Sequence, residues 1–138
     1  MFVSYDFSGT NPHIVEYPGG LTAWGGCNAV QLGVAFSLSA QPWGMVLDNA
    51  GKLVVCDRTG AVDVIDPPYT SISGTLGSGW FSPQFVSISS DNQRVYVSDQ
   101  SGQVRVLQYP SGTLIHTINV SNGQDTPYGV VEWQNFGF

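Results

Sequence analysis

Charge is scarce in this chain, and positive charge scarcest: 4 Lys and Arg stand against 10 Asp and Glu in 138 residues, for a net charge of −6. Nucleic acid and anionic membrane surfaces are held through a cationic face, so neither is expected as the main partner. The acidity is taken as a contribution to solubility. Long apolar runs are missing as well. No stretch approaches the roughly 18 apolar residues of a membrane-spanning helix. Residues Met1–Asp6 lack the basic start and apolar centre of a signal peptide, so a soluble, unprocessed chain is expected. Cysteine is nearly absent. Cys27 and Cys56 lack the close pairing of a zinc site, and both are expected as free thiols unless the fold brings them together. Nothing carries the apolar period of an amphipathic helix.

What the chain has is glycine, small polar residues and a repeat. Pro42–Leu47, Leu53–Gly60 and Val62–Pro67 return 41 or 42 residues later as Pro83–Ile88, Val95–Gly102 and Val104–Pro110. Short β runs and turns repeating at about 40 to 50 residues are the pattern of β-propeller blades, each a four-stranded antiparallel sheet with strands a to d. The expected strands of one blade lie near 42–48, 52–57, 61–66 and 71–76. Those of the next lie near 84–89, 94–99, 103–109 and 114–120. Asp48-Asn49-Ala50-Gly51 and Ser90-Asp91-Asn92-Gln93 supply turn residues between a and b, and Gly60 and Gly102 do so between b and c.

The remaining blade is split. Phe2–Gly9 matches Val95–Gly102, and Ile14–Pro18 matches Val106–Pro110, so the chain opens at strand b; a strand d is expected within 28–36. Thr126–Glu132 matches the opening of strand a. The expected organisation is one unit over 1–138: strands b to d of the split blade in 1–38, whole blades in 39–80 and 81–122, and strand a in 123–138. Propeller rings usually hold four to eight blades, so three do not close. The expected partner is therefore the chain itself: a homodimer with six blades, in which each copy's strand a completes the other's sheet. A homotrimer of nine blades obeys the same rule with a wider channel, and a segment of a longer propeller is the remaining alternative.

The motif built from Pro42, Gly44, Gly51, Val55, Asp57 and Gly60, repeated at Pro83, Val97, Asp99 and Gly102 and again at Pro127 and Gly129, resembles NHL-repeat and YVTN-type β-propellers. The resemblance covers essentially the whole chain and implies an engineered or excised half-propeller of three blades. It also implies a parent type often secreted or on bacterial surfaces. It leaves function open, because such propellers include binding scaffolds, lyases and lactone hydrolases.

Few residues suggest chemistry. His13 and His116 fall on outer strands, no nucleophile elbow or phosphate loop is present, and no cofactor or catalytic group is expected. Asp57 and Asp99 end strand b, where a carboxylate accepts hydrogen bonds from the following turn. The candidate ligand-binding residues are Trp43, Gln84 and Tyr128, each just after a blade-opening proline, with Arg58 and Trp80 on adjoining loops. Together they are expected to ring the channel mouth and to suit a small polar ligand or a peptide. The alternative is a lyase or lactone hydrolase with a site in the channel.

Overall fold

The computed structural model describes residues 2–5, 12–16, 30–33, 41–120 and 126–131. They form three antiparallel sheets. The first holds β1 (Phe2–Tyr5), β2 (His13–Glu16) and β3 (Val30–Gln31) in that order. The second is a meander of β4 (Pro42–Leu47), β5 (Leu53–Asp57), β6 (Ala61–Ile65) and β7 (Ile72–Thr75). The third repeats it with β8 (Pro83–Ile88), β9 (Arg94–Asp99), β10 (Gln103–Gln108) and β11 (Leu114–Asn119).

The turns explain the boundaries. Asp48 Oδ1 accepts from the backbone N–H groups of Ala50 and Lys52 at 2.8 and 2.7 Å, and Gly51 takes φ +81°. In the third sheet Asp91 Oδ1 accepts from Gln93 N at 3.0 Å, while Asn92 adopts φ +60°. Asn tolerates this left-handed backbone because its short side chain bonds locally.

Two apolar layers hold the sheets face to face. Alternate residues of β5 point opposite ways, as strand geometry requires. Leu53 and Val55 join Ile14, Leu32 and Ile65 between the first and second sheets. Val54 and Cys56 join Val62, Leu76, Trp80, Val86, Val95, Val97 and Leu107 between the second and third. Every residue of β5 is buried, whereas every residue of β7 is exposed. The closest approach is backbone to backbone. A Cβ placed on Gly44 would stand 2.6 Å from both Gln84 O and Phe85 Cα, so β4 lies against β8 only because residue 44 has no side chain.

The first sheet departs from the expected match. By the repeat, Phe2 would face Val15 as Val95 faces Leu107, but Phe2 pairs with Glu16. A slip of one residue exchanges the two faces of a strand. Here it turns Phe2 onto the second sheet, edge-on to Tyr69 at 5.3 Å between ring centroids, and lets Ser4 Oγ donate to Trp43 O at 3.2 Å. The strand expected within 28–36 is β3. Residues 126–131 belong to no strand.

Candidate functional site

The turns after β5 and β9 and the loops leading into β4 and β8 meet at one end of the sheets, tied by the recurrent aspartates. Asp57 Oδ1 accepts from Thr59 N at 2.9 Å, Thr59 Oγ1 at 2.8 Å and Gln41 N at 2.8 Å. Asp99 repeats this with Ser101 N at 2.8 Å on Oδ1 and Phe81 N at 3.0 Å on Oδ2. Each carboxylate thus caps its own turn, as expected, and also staples the loop leading into the sheet, a link between distant segments that local turn patterns do not reveal.

On this base the structure joins two of the five candidate residues. The Arg58 guanidinium lies over the Trp43 ring, 4.4 Å from its centroid, a cation–π contact. Trp43 is 40% exposed. Arg58 Nε is buried without a hydrogen-bond partner among the described residues. Beside the pair, Ser4, Pro42, Trp43 and Phe85 line a shallow cavity of about 330 Å³.

The other three stand elsewhere. Gln84, expected at an open mouth, is fully buried: the irregularity between Pro83 and Phe85 turns it inward, and its Nε2 donates to Ser82 O and Oγ at 3.1 and 3.0 Å. Its Oε1 has no partner among the described residues. Trp80 sits in the apolar layer and donates Nε1–H to Leu76 O at 2.9 Å. Arg105 covers it at 4.6 Å and donates to Ser78 O and Gly79 O. Tyr128 is 61% exposed and lies outside the strands. Sequence reasoning missed Ser4, Phe85 and Arg105, whose roles arise only once the sheets are stacked.

Buried acid surrounds Cys56. Burial, then Asp99, Asp63 and Asp57, push its thiol far above the ordinary range, so it carries no thiolate at neutral pH. It is a free thiol; Cys27 lies outside the described residues, as do Trp24 and Trp133. Asp63 is pushed up to about 6 by burial first and by Asp57 second. The buried Tyr109 hydroxyl donates to Asp48 Oδ2 at 2.8 Å, joining the third sheet to the second, and burial together with that carboxylate raises its pKa. His116 is exposed on β11, and among the described residues no three His, Cys, Asp or Glu side chains are placed to share a metal ion.

These features define, among the described residues, an all-β arrangement of antiparallel sheets, two of four strands and one of three, and a solved β-propeller domain shares it. The β-propeller domain of Myceliophteria thermophila Cps50 (Swd1) matches with a TM-score of 0.60 at 13% identity, over 84% of this chain and 40% of that one. Kuenenia stuttgartiensis hydrazine synthase matches with a TM-score of 0.55 at 21% identity, over 64% of this chain and 25% of that one. The chain therefore spans less than half the length of either. No family model matches the sequence, and no curated protein does.

Proposed function

We propose that this chain is a self-assembling β-propeller unit of three blades, one of them split, and that two copies exchange strands to close a six-bladed ring. The observation that carries this is the edge of β1. Among the described residues β1 pairs only with β2, whereas the matching strands β5 and β9 each lie between two neighbours. An open edge presents a row of unsatisfied N–H and C=O groups and pairs readily with another chain. The complementary piece is also present. Pro127-Tyr128-Gly129 repeats Pro42-Trp43-Gly44, the opening of β4, and Val131, at 84% exposed, sits in the same unpaired segment.

In this arrangement residues 123–138 add a fourth strand to the partner's first sheet. The ring presents the Trp43–Arg58 pair twice on its loop face, where an aromatic ring beside a guanidinium suits a small polar ligand or a peptide. No catalytic role is assigned.

Removing Tyr128–Phe138 tests the exchange. The truncated chain should lose its self-association, and the amide protons of Phe2–Tyr5 should exchange faster than in the full chain, as read by hydrogen exchange with mass detection. A truncated chain that associates as tightly as the full one, with β1 equally protected, overturns the proposal.

A further inference from the structure

We infer that Gly129 is the contact glycine of the subunit interface, where the backbone of the exchanged segment lies directly against the opening of β4 in a second copy of this chain. The inference rests on the ring proposed above and adds the residue on which its closure depends.

The observation is an unexplained glycine. Gly44, which occupies the same place in the repeat, is explained by its neighbour: a Cβ there would meet Gln84 O and Phe85 Cα at 2.6 Å. Real Cβ atoms do not approach backbone so closely, so β4 can pack on β8 only with glycine at 44. At Gly129 nothing among the described residues lies within 4 Å of an added Cβ, and its φ lies outside the left-handed region. Neither crowding nor backbone conformation asks for glycine there in the single chain. Advancing the Gly44 contact by one repeat gives Gly129 its neighbour: the partner's Trp43 carbonyl and the partner's Gly44 Cα take the places of Gln84 O and Phe85 Cα. Within the chain that carbonyl already accepts a hydrogen bond from Ser4 Oγ at 3.2 Å, and the room for a further segment is the cavity lined by Ser4, Pro42, Trp43 and Phe85 beside it. Continuity with the β1 edge, to which Ser4 belongs, selects a second copy as the occupant.

The test compares the full chain with Gly129→Ala, Gly129→Val and, as a control on exposed β7, Gly74→Ala, where an added Cβ also meets nothing. Dimer dissociation is followed by sedimentation equilibrium and folding by circular dichroism. Gly129→Val is expected to keep the wild-type spectrum and to weaken dimerisation by about a hundredfold, with Gly129→Ala weakening it by about tenfold. Gly74→Ala is expected to dimerise as the wild type does. If the wild type dimerises and both Gly129 variants match it, the contact is wrong while the ring stands. A wild-type chain that is monomeric at every concentration overturns the ring and the contact together.

Discussion

A single buried carboxylate makes the second sheet sensitive to pH. Asp63 takes the place in β6 that Arg105 takes in β10, so the repeat exchanges a cation stacked on Trp80 for an acid close to Asp57. Burial disfavours its charged form and Asp57 repels it, which raises its pKa from 3.8 to about 6. The folded chain therefore holds this proton more tightly than the unfolded chain. The resulting stability is fully present below about pH 4 and is lost as pH rises to about 6. Asp66, held low first by its hydrogen bond from Lys52, and Asp91, held low first by that from Ser89, act in the opposite sense, losing stability as pH falls below 3.8. Asp63→Asn should remove the loss between pH 4 and 6 and leave the acid limb in place, as followed by urea midpoints across pH. Parallel profiles for variant and wild type in that window would show that Asp63 does not govern it.

At the scale of strands, most of the architecture was legible, because alternation and turn chemistry are local. The expected strands near 42–48 and 94–99 appear as Pro42–Leu47 and Arg94–Asp99, bounded by Asp, Asn and Gly turns whose hydrogen bonds follow from those residue types. Stacking was not legible. Gln84 reads as a mouth residue by position, and only the irregularity at the start of β8 turns it inward. The one-residue slip of β1 depends on Phe2 finding Tyr69, 67 positions along the chain. Asp57 bonds Gln41 across the sheet end, which no turn motif records. Glycine separates the two kinds of information, since the letter is the same at 44 and 74 but the surroundings differ. Gly44→Ala drives a methyl group into the backbone of β8 and should cost about 3 kcal/mol in urea unfolding. Gly74→Ala meets open space and should change stability by well under 1 kcal/mol. Equal midpoints for the two variants would contradict the close approach of β4 and β8.

For the whole molecule the unresolved balance is between burial and exposure. Two apolar layers between three sheets account for the core, yet Phe85, Tyr128 and Val131 remain exposed near the loops and the 126–131 segment. Among the described residues β1 has one neighbour, and a sheet edge of this kind together with such apolar surface pairs readily with another chain. Association through that edge would satisfy both at once, and it needs no charge of opposite sign, which a net −6 chain does not offer a copy of itself. The loop face, with Arg58 over Trp43, would then be displayed by an assembly and not by one chain.

The mass of the intact chain in dilute solution decides the matter most directly. Native mass spectrometry or light scattering over a dilution series should give twice the chain mass of 14.8 kDa, falling to the single mass only at the lowest concentrations. A particle of 14.8 kDa at every concentration, or one of three times that mass, would contradict a ring closed by two copies.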